Sequence, residues 1–385
     1  MRFADNRNKI GKYIPAVVFL IFIYGMALWF IFSPKPDYSS SEKRYLQKFP
    51  EVTAEKLLSG DFGSEFETFF ADRFPQRNTW VGLNAYTALA EGNNGASGVY
   101  NCKNGYLINK PVSTENNLDK NIGAVADFAK SIDTPTTVML VPSTGYIVDD
   151  VLPTFHDKYN DDEDISKISS TLSKDKIGFV DLRERFKSEY KNGSQIYYKT
   201  DHHWTTKGAY TGYQELCKAL GITPIDDSTL KKDSYPDFYG TTYSSSGFWL
   251  TPPDNIEIWN NPKNSDRNIS VKITEGANIK TSGSMYFTDH LKEDDKYPVF
   301  IDGNHALTEI TNTNAKNGTI ILIKDSFSHS LAPFLAENYS KVVLVDLRYY
   351  KESVSDLVTT YNPEQVVVLY GIDNLATDTD IVWLK

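Results

Sequence analysis

Two short segments of this sequence carry residue types that do chemistry together. The first is Thr200-Asp201-His202-His203-Trp204-Thr205-Thr206-Lys207-Gly208, which sets two of the chain's six histidines beside an acid. A carboxylate that holds one imidazole nitrogen leaves the other free as a general base. On an extended segment, Asp-x-His puts Asp201 and His203 on one side and His202 on the other, because side chains alternate. The second segment is Ile321-Leu322-Ile323-Lys324-Asp325-Ser326-Phe327-Ser328-His329-Ser330, an apolar run entering a polar turn that opens a helix. A serine at such a turn sits beside backbone N–H groups that the helix start leaves unpaired, and those groups can stabilise an oxyanion. Each segment also has a plainer reading. Thr205 can cap a helix without the histidines, and Asp325, Ser328 and Ser330 are themselves capping types. Taken together, the segments supply a nucleophile (Ser326), a base (His203) and an orienting acid (Asp201), the parts of acyl transfer.

Strands and helices must bring these segments together. Apolar runs at 137–141, 178–182, 196–198, 319–323, 341–347 and 365–370 read as strands. Ala209, Tyr213, Leu216, Cys217 and Leu220 recur at helical spacing, and Gly221 ends the stripe. Further helices are expected near 328–338 and 351–361. Such alternation predicts an α/β fold with a mostly parallel sheet covered on both faces, and open parallel sheets place sites at the C-terminal ends of their strands. The stretch 223–318, rich in Gly, Ser, Thr, Asn and Pro, breaks the rhythm and reads as an insertion of loops and short strands. Upstream, Phe62, Phe66, Phe69 and Phe70 mark an amphipathic helix, and Leu118, Ile122, Val125 and Phe128 another. Asn104-Gly105 between Val99-Tyr100 and Tyr106-Leu107-Ile108 is a hairpin signal.

The N-terminus bears on the compartment. Arg2, Arg7, Lys9 and Lys12 face a single Asp5, and Tyr13 to Phe32 carries no charge. Twenty helical residues span about 30 Å, enough to cross a bilayer, and a basic flank keeps that end in the cytoplasm. A cleaved signal peptide is the competing reading. The run is long for one, and Phe32-Ser33-Pro34-Lys35-Pro36 lacks a small-x-small site. The expected organisation is a cytoplasmic tail (1–12), a transmembrane anchor (13–33), a linker (34–48) and an extracytoplasmic domain (49–385).

Composition narrows the function classes. The 385 residues are 40% hydrophobic and 23% charged, a folded rather than a disordered chain. With 50 acids against 40 bases, the net charge of −10 argues against nucleic acid as a partner. Two cysteines, Cys102 and Cys217, exclude a disulfide scaffold and a Cys-rich zinc module, while a single bridge between them is left open.

Asp201-His202-His203-Trp204, followed by Lys207-Gly208-Ala209-Tyr210, resembles the signature of the bacterial DHHW protein family, which belongs with the alginate O-acetylation proteins among SGNH-hydrolase-like proteins. Asp72-Arg73-Phe74-Pro75-Gln76-Arg77, Gly303-Asn304-His305, Lys324-Asp325-Ser326-Phe327 and Asp346-Leu347-Arg348-Tyr349-Tyr350 carry the same resemblance. It implies a flavodoxin-like three-layer α/β/α domain with Ser326 as nucleophile, His203 as base and Asp201 as its partner, and with no cofactor or metal. It further implies O-acetyl transfer to, or removal from, an exported or cell-surface polysaccharide, beside a multi-span membrane O-acyltransferase. Lys324 stands where ordinary SGNH enzymes have a glycine before Asp-Ser. Two other classes compete. One is a non-catalytic scaffold of envelope glycan assembly. The other is a metal-dependent phosphoesterase, whose second metal would need Asp149-Asp150 or Asp161-Asp162, both expected to be solvated loop acids.

Overall fold

A computed structural model describes residues 2–112 and 117–384, the side chains of 2–11 excepted. The basic side chains of Arg2, Arg7 and Lys9, invoked above for topology, therefore lie outside the described residues. Two compact units are present, Met1–Thr87 and Ala88–Lys385.

The first unit is built on one helix, Arg2–Phe32, whose stretch Lys12–Phe32 is 21 residues long with a mean hydropathy of 2.4. It is long and apolar enough to span a membrane. After it come a two-stranded hairpin (Tyr38–Ser39 with Arg44–Tyr45) and three helices: Ala54–Ser59, Asp61–Asp72 and Arg77–Ala90. The hairpin is tied down by Asp72, whose carboxylate accepts from Gln47 N at 2.9 Å and from the Arg44 guanidinium.

The second unit is a mixed α/β structure around an eight-stranded sheet. Its strands are β1 (Thr136–Val141), β2 (Gly178–Asp181), β3 (Ile269–Glu275), β4 (Asn278–Ser282), β5 (Leu307–Asn312), β6 (Asn317–Lys324), β7 (Tyr339–Val345) and β8 (Gln365–Gly371), in the spatial order β4-β3-β5-β7-β6-β8-β1-β2. From β7 to β2 every pair is parallel, with β6 central: Ile321 opposes Val343 of β7 and Val366 of β8. The period of two sorts β6 between two cores. Ile320 and Leu322 pack with the helices Thr206–Leu220 and Ser328–Leu335, while Ile321 and Ile323 pack with Asn117–Ser131, Asp161–Lys174 and Val354–Tyr361.

Two expectations are corrected here. The stretch 223–318 is more than loops and short strands, because β3, β4 and β5 within it extend the main sheet antiparallel from β7. Its strands read as polar because β3 buries a single face and β4 none. In β3, Ile269, Val271 and Ile273 point inward between Ser270, Lys272 and Thr274. The buried Glu309 of β5 is answered by Lys272 at 2.8 Å. The expected strand 196–198 reduces to one bridge, Tyr197 with Trp204, because the chain folds back on itself there. The hairpin does form, with Asn104 and Gly105 both at positive φ (58° and 77°), as a type I′ turn requires. Cys102 and Cys217 are separate buried thiols.

Candidate active site

The Asp-His-His-Trp segment is a tight loop, closed by Thr205 N donating to Ile196 O (2.8 Å) and Tyr198 N donating to His203 O (3.2 Å). Asp201 and His203 meet through a turn, not through strand alternation. Asp201 Oδ1 accepts the backbone N–H of His203 at 2.8 Å, and the turn swings the imidazole round so that Nδ1 lies 2.5 Å from the same oxygen. The extended geometry expected for this segment is therefore wrong, and so is its corollary that His202 faces away. The His202 ring lies 3.9 Å from that of His203, centroid to centroid. Thr205, as expected, caps the following helix by accepting from Gly208 N at 3.1 Å.

Ser326 lies in the turn between β6 and the helix Ser328–Leu335. Asp325 pins that turn: its carboxylate accepts Phe327 N (3.0 Å), Gly371 N (2.7 Å) and the Asn374 side-chain amide (2.7 Å). Burial raises the Asp325 carboxyl, against the pull of these donors. His203 Nε2 lies 2.7 Å from Ser326 Oγ, so Asp201, His203 and Ser326 form one continuous chain of hydrogen bonds. Ser326 is half-buried, and its backbone N–H finds no acceptor among the described residues. Trp204 joins the two segments, its indole N–H donating to Phe327 O (3.0 Å) and Ser330 Oγ (2.9 Å).

Several neighbours were not legible in the sequence. Thr241 gives Asp201 Oδ2 both its N–H (2.7 Å) and its hydroxyl (3.1 Å). Because that hydroxyl proton goes to the carboxylate, His202 Nδ1, 2.7 Å from Thr241 Oγ1, is the donor of that bond. Gly240 permits the approach, since a Cβ there would lie 2.1 Å from Asp201 Cβ. Tyr297 stacks on the His203 ring at 4.1 Å and 13°. Burial pushes the Asp201 carboxyl upward, but the two imidazoles and the Thr241 N–H outweigh it and hold it well below the usual range. Burial and the neighbouring His203 lower His202 to about 4. Gly240 and Thr241 lie in a Gly/Thr/Ser-rich stretch that gives no signal of its own.

Behind the serine lies a buried charge cluster made from two of the quoted motifs. Lys324 Nζ donates to Asp346 (2.8 Å) and to His329 Nε2 (2.8 Å), and Arg348 grips Asp346 with two nitrogens (2.8 and 2.6 Å). The Lys324 and Asp346 side chains are only 2% and 0% exposed. Lys324, in the place of a glycine, thus anchors the end of β6 from behind. A cavity of about 50 Å³ at the C-terminal ends of β1 and β8 is lined by Ser143, His202, Thr242, Phe327, Asp373 and Asn374, among others. Burial raises Asp373 in its wall to about 6.

Asp201, His202 and His203 also offer ligand atoms within 4.8 Å of one another, a spacing suited to a metal ion. Both nitrogens of His203 are already engaged, however, and both Asp201 oxygens accept hydrogen bonds. The further acids a phosphoesterase needs are committed elsewhere. Asp150 accepts from Tyr190, and Asp162 from Tyr146 and Arg183. Asp161 is not solvated, as had been expected: it is buried, accepts Ser143 N at 2.7 Å, and is raised by burial to about 7.

Solved structures share this fold. A DHHW family protein from Eubacterium siraeum superposes with a TM-score of 0.63 at 18% identity, covering 75% of this chain and 95% of that one. Bacillus cereus PatB1, solved with a sulfonyl adduct, gives 0.61 at 20% identity over 74% and 97%. Among curated proteins none matches the sequence significantly. Residues 109–345, more than half of the chain, match the DHHW protein family, and the chain belongs to that family.

Proposed function

We propose that this chain is a membrane-anchored, extracytoplasmic O-acetyltransferase or acetylesterase that acts on an exported or cell-surface polysaccharide through Ser326, His203 and Asp201. The observation that carries the reading is the unbroken Asp201–His203–Ser326 chain at 2.5 and 2.7 Å. In this reading His203 Nε2 takes the Ser326 proton as Oγ attacks an acetyl carbonyl. The Ser326 N–H faces the oxyanion that forms. The anionic Asp201 stabilises the imidazolium, which then protonates the leaving oxygen and leaves an acetyl-serine. A glycan hydroxyl next gives its proton to His203, attacks the acetyl-serine and carries the acetyl group away as His203 returns that proton to the leaving Ser326 Oγ; water in its place gives acetate. A multi-span membrane O-acyltransferase would supply the acetyl donor, and the basic N-terminal flank supports a cytoplasmic N-terminus.

The strand order supports a flavodoxin-like, three-layer, SGNH-hydrolase-like domain. Counted from β6 and continued through β1 and β2, the parallel strands stand in the order 2-1-3-4-5. A chain that enters such a sheet at its fourth strand carries Asp-x-His ahead of the serine. The test is to incubate the protein with an activated acetyl ester and locate the adduct by mass spectrometry. Acetyl on Ser326, lost on adding glycan or water, supports the reading. Turnover without modification of Ser326, or turnover undiminished in Ser326→Ala, refutes it.

A further inference from the structure

The first unit leaves a band of apolar side chains uncovered. Leu58 is 90% exposed, Leu57 55%, Phe49 57%, Phe66 40% and Phe70 42%. On a water-facing surface so large an apolar patch is a liability, and it marks a surface that something else covers. The patch is continuous with the membrane-spanning stretch. Near the exit of that helix, Phe30 packs against Phe70 (4.8 Å between ring centroids) and Phe69 (6.2 Å). Phe49 packs edge-on against Phe62, Phe66 and Phe69. Lys35 folds back over the Phe30 ring at 3.8 Å and donates to the Phe30 carbonyl, which caps the last turn of the spanning helix with a positive charge. Tyr38, Tyr45 and Trp80, all exposed, belong to the same unit, and Tyr and Trp favour the bilayer–water boundary.

We propose that the helices Ala54–Ser59 and Asp61–Asp72, with Phe49, lie in the outer interface of the bilayer that Lys12–Phe32 crosses. The occupant of the patch is then lipid. Through the Phe30 contacts the C-terminal end of the aromatic helix, Phe69 and Phe70, lies at the depth where the spanning helix ends, which makes lipid the nearest apolar phase. The charged residues of these two helices, Glu55, Lys56, Asp61, Glu65, Glu67 and Asp72, are mostly acidic, so attraction to anionic headgroups does not drive the contact. Apolar burial does, and the attachment should be insensitive to salt. A band of this kind holds the 34–87 segment against the membrane instead of letting it act as a free tether.

The proposal rests on the anchor reading, and the experiment separates the two. The full chain is placed in phosphatidylcholine nanodiscs with single nitroxide labels at Ile21→Cys, Leu58→Cys, Phe66→Cys, Phe70→Cys and, as an aqueous control, Lys218→Cys. Cys102 and Cys217 are buried, with thiols pushed up to about 12, so the unsubstituted chain gives a low background. Each label is relaxed in turn by oxygen, which concentrates in lipid, and by a water-soluble nickel chelate. Labels at 58, 66 and 70 are expected to move more than half-way from the Lys218 ratio toward the Ile21 ratio, at low and high salt alike. If they match Lys218 while Ile21 reads as lipid, the patch lies in water and the proposal fails although the anchor stands. If neither reagent reaches them, protein covers the patch and lipid is the wrong occupant. If Ile21 itself reads as aqueous, the anchor reading fails and this one falls with it.

Discussion

Replacing Gly240 by alanine tests how the Asp201 carboxylate of the proposed triad is held. The added Cβ would lie 2.1 Å from Asp201 Cβ and 2.4 Å from Oδ2, far inside van der Waals contact, so one side must move. If the 240–241 backbone retreats, Asp201 Oδ2 loses the Thr241 N–H at 2.7 Å and its hydroxyl at 3.1 Å. If Asp201 yields instead, the 2.5 Å bond to His203 lengthens. A hydrogen bond to a charged group contributes about 1.5–3 kcal/mol. Losing one such bond from the pair that stabilises the imidazolium lowers kcat by about 10- to 100-fold. Thr241→Val keeps the N–H to Asp201 and removes the longer bond together with the one from His202 Nδ1 to Thr241 Oγ1, so the carboxylate itself loses less and turnover should fall within about 10-fold. The assay is turnover of an activated acetyl ester at equal folded concentration, with circular dichroism as the folding check. Wild-type turnover in Gly240→Ala, or a larger loss in Thr241→Val than in Gly240→Ala, would refute the claim that this contact positions the carboxylate.

Four further outcomes follow from the same geometry. His203→Ala and Ser326→Ala should lose about 10³- to 10⁶-fold in rate, whereas His202→Ala, which gives up one hydrogen bond to Thr241, should lose about 10-fold or less; the reverse ranking would require the roles to be exchanged. Asp346→Asn strands the buried Lys324, already lowered by burial against the pull of Asp346, at a cost of about 3–5 kcal/mol. Its folded pKa then falls further below the unfolded value, the unfolded chain binds more protons, and stability rises with pH toward the ordinary lysine range; urea unfolding should show the deficit shrinking as pH rises toward that range, and a deficit that stays constant refutes the account. Acetyl-ester turnover should survive EDTA, because both His203 nitrogens are engaged within the protein; loss restored by manganese or zinc would revive the metal reading. Protease added outside intact cells, from which any outer barrier has been removed, should reach the domain after Pro34, and full protection would reverse the proposed topology.

The sequence by itself determined those features whose physics is local. Twenty uncharged residues after a basic flank can be read for membrane-spanning length without any tertiary contact. The parallel strands were legible because strands buried on both faces are apolar at every position, as in Val366-Val367-Val368. The candidate chemistry was legible because histidine is scarce, with two of the six set beside an acid, and the proposed roles follow from residue type. Tertiary structure decided the rest. Strand β3 buries alternate residues and β4 none, so their sequence resembles that of loops until a neighbouring strand defines the inner face. The turn that folds His203 onto Asp201 depends on a carboxylate accepting its own loop's N–H, which spacing alone cannot tell from extended alternation. Gly240, Thr241 and Tyr297 reach the site from segments at least 37 residues away from His203 in the chain. Their contribution is a position in space, fixed only once the sheet has closed around them.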